Sequence, residues 1–107
     1  MDDTTPRTAF RVQDHNCNAH DSVHGGVLMA FADYTLCIGA NMGESESVVT
    51  VSCSNEFVAP AYLGDLIEGE CHIIRRGKSM VFTRCELRVD EKPILNSSGV
   101  IKRIMGN

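Results

Sequence analysis

Hydrophobic positions change their period once along this chain. From Gly25 to about Met42 the residues are mostly helix formers and apolar on nearly every face, which predicts a helix enclosed by other structure rather than lying on a surface. Ser22 is the expected N-cap, Gly43 the expected stop, and "GESES" a polar loop beyond it. Past that loop the period becomes two. "VVTVSCSNEF" sets Val49, Val51, Cys53 and Phe57 against Thr50, Ser52, Ser54 and Glu56, as a strand with one buried face does. "APAYLGD" turns, "LIEGECHII" and "SMVFTRCELRV" are further strands joined by "RRGK", and "DEKP" leads into a last strand, "ILNSSGVIKRI". In the third of these four strands Val81, Thr83, Cys85, Leu87 and Val89 face one way, and Arg84, Glu86 and Arg88 the other. That alternation predicts an antiparallel sheet with one solvated side. With a short strand near "TAFRVQ", the order is strand, buried helix, then four strands. The fold class is therefore α+β: a twisted antiparallel sheet with one long helix packed on its concave face.

A chain of 107 residues is expected to be one domain, residues 1–107, whose core is marginal unless more surface is buried against partner subunits. Its formal net charge of -4 argues against a nucleic-acid or anionic-membrane surface and for a small-molecule partner. The longest unbroken apolar run, Val27 to Ala32, falls far short of the roughly 20 residues that cross a bilayer. The five cysteines are scattered with no Cys-x-x-Cys pair, and "MDDTTPRTAF" lacks a signal pattern. Reduced thiols in a cytoplasm are the expectation.

Asp33 is the residue this pattern does not explain. Its helical neighbours three and four positions away are Ala30, Met29, Leu36 and Cys37, so no cation within the helix pairs with it and no polar face receives it. A solvated edge or an arginine from elsewhere is the ordinary fate of a helical aspartate. Desolvation of a carboxylate raises its pKa, however, and that suits a general base or nucleophile near neutral pH. The paired Gly25 and Gly26 meet a second need. They open the helix, where the first N–H groups lack intrahelical partners and the dipole is positive. A carbonyl oxygen can approach Gly25 closely and accept a hydrogen bond as it gains charge, which is half of an acyl-transfer site. At about 1.5 Å rise per residue, Asp33 lies roughly 12 Å along the axis from Gly25, whereas an attacking group must come within about 3 Å of the carbonyl carbon. Two antiparallel helices across a twofold axis would set Asp33 of one subunit opposite Gly25 of the other, with two equivalent sites per dimer.

These residues resemble a known family. "NAHDSVHGGVLMAFAD", "VVTVSCSNEFVAPAYLGD" and "IIRRGKSMVFTRCEL" are similar to the hotdog-fold acyl-CoA thioesterases of the PaaI-like branch, over nearly all of the chain from about Asn18 onward. The resemblance implies a hotdog fold, at least a homodimer and one level up a dimer of dimers, which hydrolyses an acyl-CoA or aryl-CoA thioester without metal or redox cofactor. It implies that Asn18 polarises the thioester carbonyl with the Gly25 N–H, and that Asp33 of the opposing subunit activates water or attacks directly. Thr50 stands where relatives place a hydroxyl that orients the water, and His24 is the motif histidine that shapes the start of the helix. The glycine pair through Gly26, the segment Phe57, Val58, Ala59, Pro60, and the hairpin Arg75, Arg76, Gly77, Lys78, Ser79 resemble the edges where relatives hold the pantetheine arm and nucleotide phosphates, the basic side chains being suited to phosphate. Two departures stand out. Asp21 occupies the position three before His24 that is usually Gly, adding a negative charge there, and the N-terminus is short for a family in which an extra helix often closes the acyl pocket.

Other chemistries fit the residues less well. His15, Cys17, His20 and His24 are metal-ligand types, but their spacing matches no usual structural-zinc pattern. Cys37 as a nucleophile would need a histidine to deprotonate it, and a cysteine on an apolar face is ordinarily a small core residue. The main rival to an enzyme is a non-catalytic hotdog domain that binds acyl-CoA or a related ligand.

Overall fold

Leu28, Ala32, Leu36 and Ala40 recur every four residues and form the buried stripe of helix α1, Gly25–Asn41. In a computed structural model, which describes residues 6–41 and 47–104, that helix lies across a five-stranded antiparallel sheet. The strands are β1 (Thr8–Arg11), β2 (Val48–Phe57), β3 (Leu66–Arg76), β4 (Met80–Val89) and β5 (Lys92–Arg103), in the spatial order β1-β3-β4-β5-β2. A single 3-10 turn, Asp14–Asn16, precedes the helix. The expected stop at Gly43 and the "GESES" loop, apart from Ser47, lie outside the described residues.

The helical stripe packs on Ile67, Cys71, Val81, Cys85, Leu87, Ile94, Leu95 and Ile101, all essentially inaccessible to water. Burying a side chain of Leu or Ile size is worth about 1.5–3 kcal/mol, so this contact supplies most of the drive that holds helix on sheet. The β4 alternation is as the sequence predicts: Val81, Thr83, Cys85 and Leu87 are buried, while Phe82 and Arg84 are exposed.

Two expectations come out differently within a single chain, each for a physical reason. Among the described residues the helix is covered on one side only, by the sheet: Met29 is 44% exposed, Ala30 is exposed and Tyr34 is 54% exposed. Before its bulge the phase of β2 is also different. Val49 and Val51 stand 48% and 53% exposed, and Val48, Thr50, Cys53 and Asn55 turn inward instead. A bulge against β5 between Thr50 and Ser52 changes the parity of the strand, so the residues before and after it follow opposite alternations. Past the bulge the predicted sides hold for Cys53, which turns inward, and for Ser52, Ser54 and Glu56, which are exposed, while Phe57 stays 54% exposed.

Gly69 makes room for a buried polar contact. The Thr8 and Thr35 hydroxyls are hydrogen-bonded at 2.7 Å, tying β1 to α1, and the Thr35 hydroxyl also donates to the Phe31 carbonyl at 2.9 Å. A Cβ on Gly69 would fall 2.4 Å from Thr8 Oγ1 and 2.8 Å from Thr35 Oγ1. With the Thr8 proton then directed to Thr35, both hydroxyls are satisfied, and a methyl would break the pair apart. Gly69→Ala is therefore expected to lower unfolding stability by about 1–3 kcal/mol, the range for overpacking a filled interior. The urea midpoint reads this directly, and an unchanged midpoint would mean that β1 moves aside at no cost.

Candidate active site

The segment before the helix is a tight loop organised by Asn18. Its side-chain oxygen accepts the backbone N–H groups of His20 at 2.9 Å and Ser22 at 3.2 Å, and its backbone carbonyl accepts that of Asp21 at 3.1 Å. Two backbone donors identify that atom as the oxygen, so the amide NH2 of exposed Asn18 is left as a free donor among the described residues. Asp21 has φ 60, the left-handed region, which accounts for the glycine usual at this position; aspartate is among the residues that tolerate it. The loop is then pinned to the far side by the Leu63 N–H on the Asp21 carbonyl at 2.9 Å and the Val23 N–H on the Ala61 carbonyl at 2.9 Å.

His24, not Ser22, stands at the N-cap position. The His24 carbonyl accepts the Val27 and Leu28 N–H groups, whereas Ser22 is held two residues upstream in a bridge with Tyr62, its N–H already given to Asn18. The His24 N–H donates to the Asn16 carbonyl at 3.0 Å, so this residue shapes the start of the helix. The Gly25 N–H donates to no described residue. A groove of about 370 Å³ opens beside it, lined by Ser22, Val23, Gly25, Leu28, Phe57, Val58, Ala59 and Pro60. A Cβ on Gly25 would come 3.4 Å from the Phe57 ring, narrowing that groove, while one on Gly26 would meet nothing within 4 Å. The structure thus joins Gly25 to the Phe57–Pro60 segment, with Gly26 at the open side. A larger, polar cavity of about 400 Å³, lined by Glu56, His72, Arg84 and Glu86 among others, contains none of the predicted site residues.

Asp33 is half-buried, and its partner comes from the sheet: the Thr50 hydroxyl donates to Asp33 Oδ1, while Oδ2 has no partner among the described residues. The inward turn of Thr50 that the β2 bulge accompanies is what makes this contact. Cys37, one turn further along the helix, lies with Sγ 3.5 Å from Thr50 Oγ1. Burial pushes the Cys37 and Cys71 thiols up, and that of Cys85 up to about 12, so none of the three is poised as a thiolate nucleophile. None of the five cysteines forms a disulfide among the described residues, and no three His, Cys, Asp or Glu side chains there converge as metal ligands.

The basic hairpin lies at the other end of the helix. Arg76 Nη1 donates to the Ala40 carbonyl at 2.8 Å, where a cation meets the negative end of the dipole. The guanidinium of Arg76 is thereby engaged in the fold. Gly77 and Ser79 form the turn, through Gly77 N–H to the Met80 carbonyl and Arg103 N–H to the Ser79 carbonyl, both 2.7 Å. Arg75 and Lys78 are exposed, and neither is ion-paired among the described residues. Lys102 adds to this end: it pairs with Met80 across the sheet, a proximity that only the β4–β5 register reveals. Within one chain the hairpin stands away from Gly25 by the whole helix, roughly 24 Å.

The sequence profile of the thioesterase superfamily matches residues 20–94, from the Asn18 loop through the start of β5. The chain belongs to the thioesterase superfamily. Its membership makes it a thioester hydrolase by family and carries the loop, the helix and β2 to β4 within one matched segment. A Pseudomonas aeruginosa protein named as an esterase is 29% identical over 94 residues, covering 86% of this chain and 70% of its own. The acyl-coenzyme A thioesterase PaaI of Escherichia coli is 27% identical over 78 residues, 73% of this chain and 55% of its own. The solved structure of PaaI superposes with a TM-score of 0.87 at 24% identity, over 94% of this chain and 73% of that one, which shows the hotdog fold. A Streptococcus pneumoniae protein described as a thioesterase and crystallised with coenzyme A has a TM-score of 0.86 at 15% identity, over 97% of this chain and 81% of that one. Among the described residues no helix is long and apolar enough to cross a membrane.

Proposed function

We propose that this superfamily member hydrolyses an acyl-CoA or aryl-CoA thioester at sites built across a homodimer. The observation that carries the reading is the pairing of unlike halves on one helix: a free Gly25 N–H facing a groove, and eight residues later a half-buried carboxylate with one oxygen held and one open. Roughly 12 Å of helix separates them, so one chain does not complete the site. What a single chain leaves uncovered fits a second copy. Among the described residues no strand pairs with the outer edge of β2, and Val49, Val51, Met29 and Tyr34 expose apolar surface on that side and on the open helix face.

With two helices antiparallel and Asp33 opposite Gly25 of the partner subunit, the thioester carbonyl would accept from that Gly25 N–H and from the Asn18 amide. A water placed between Asp33 Oδ2 and Thr50 Oγ1 would give its proton to Asp33 as its oxygen adds to the carbonyl carbon. The tetrahedral oxyanion would then collapse with loss of the CoA sulfur, which takes the proton back, leaving free acid and CoA. Thr50 favours water over direct attack because its oxygen keeps an acceptor site for the second water proton. The same arrangement carries the hairpin of the Asp33 chain about 10 Å beyond the partner's glycines, since Ala40 lies seven residues past Asp33. Arg75 and Lys78 would there meet the phosphates, with Arg76 kept as the helix cap.

Thiol release from short, long and aromatic CoA thioesters tests the proposal. Asn18→Ala should lower kcat by about 10²-fold, the loss associated with one oxyanion donor. CoA binding without turnover on any of the panel would favour the non-catalytic ligand-binding domain instead.

A further inference from the structure

The hydrogen-bond chain behind Asp33 has a direction. Thr50 has one hydroxyl proton, and its contact with Asp33 consumes it, because an ionised carboxylate offers only acceptors. The Cys37 contact at 3.5 Å can then run one way only, from the thiol S–H to the Thr50 oxygen. We infer that Cys37 is a positioning residue for hydrolysis, acting through Thr50 to hold the hydroxyl that orients both the Asp33 carboxylate and the attacking water. This inference rests on the proposed role of Asp33 as base.

Geometry and chemistry support the same direction. Cys37 sits four residues after Asp33, on the same helix face, while Thr50 reaches in from β2 just before the bulge. The S–H occupies one lone pair of Thr50 and the O–H points at Asp33 Oδ1. One acceptor site remains on Thr50, beside the open Oδ2, and the two can take the two protons of a single water. That leaves the water oxygen's lone pair free for the carbonyl carbon. Desolvation, opposed by the Thr50 contact and reinforced by the neighbouring Asp33, pushes the Cys37 thiol up on balance, which keeps it protonated. Without the S–H the Thr50 hydroxyl can rotate toward other acceptors, and the water loses a fixed partner. In this arrangement the Cys37–Thr50–Asp33 contacts hold the attacking water and not the thioester.

Kinetics of single and double variants test the inference. Cys37→Ala should lower kcat by about threefold to tenfold with KM unchanged, as expected for loss of one weak hydrogen bond in the transition state. Cys37→Ser, which restores a donor, should return kcat to within about twofold of the parent. In a Thr50→Val background Cys37→Ala should cost nothing further, because the effect passes through the hydroxyl. A full rate in Cys37→Ala, a serine variant as slow as alanine at equal melting temperature, or an undiminished Cys37→Ala loss in the valine background would each overturn it. If the alanine variant melts too early to assay, Cys37→Val fills the space without a donor and carries the same expectation. Asp33→Asn separates the two ideas: full turnover in that variant removes the base itself, whatever Cys37 does.

Discussion

Asp33→Asn is expected to fold, to hold CoA thioesters with unchanged affinity, and to lose between about 10² and 10⁴ of kcat, the range that a positioned general base contributes. The substitution is nearly isosteric, and the amide oxygen can still accept from Thr50, so the contact that joins α1 to β2 survives. What disappears is the second oxygen, Oδ2, replaced by an NH2 that donates where water must be deprotonated. The groove beside Gly25 and the hairpin at the far end of the helix are untouched. Steady-state thiol release gives kcat, and calorimetric titration with CoA gives binding without turnover. A variant that turns over at the parental rate would remove Asp33 from the chemistry and leave a binding domain as the better reading. One that keeps its fold but loses CoA would make Asp33 part of ligand recognition.

How much of this was legible in the chain depended on whether one element or several decided the outcome. The alternation in Val81, Thr83, Cys85 and Leu87 shows its buried face directly, because β4 lies mid-sheet with partners on both sides and the helix over it. The edge strand β2 misled. Its valines look like core residues, but the bulge near Ser52 turns Thr50 inward and leaves Val49 and Val51 outside. The choice between Thr50 and its valine neighbours is made by the pairing with β5 and the carboxylate on α1, neither of which is local. Helix enclosure was likewise not local, since among the described residues nothing covers the apolar face formed by Met29, Ala30 and Tyr34. That face is the strongest structural support for a second subunit. Asp21 was visible as a departure from the family pattern, but its meaning needed a backbone angle. Arg76 read as one of three equivalent cations until the Ala40 carbonyl claimed it.

A mixture of two crippled proteins should recover activity that neither has alone. Asn18→Ala keeps Asp33 but lacks an oxyanion donor, and Asp33→Asn keeps the donor but lacks the base. If each site draws its base from one chain and its donors from the other, a mixed dimer holds one site with both groups intact and one with neither. Unfolding the two variants together and refolding them at equal concentration makes about half of the dimers mixed, each with one working site of two, so activity should rise to about one quarter of the parent. Each variant alone is expected to be down by roughly a hundredfold or more, which makes the rise easy to measure. Refolding the variants separately and then combining them without exchange is the control, and it should stay at the average of the two. The logic follows from the helix itself. Eight residues separate Gly25 from Asp33, and no rotamer of Asp33 spans the roughly 12 Å that a site within one chain would require. A co-refolded mixture that never exceeds the control would place both groups in a single chain's site, and the intersubunit geometry, along with the hairpin position derived from it, would have to be abandoned.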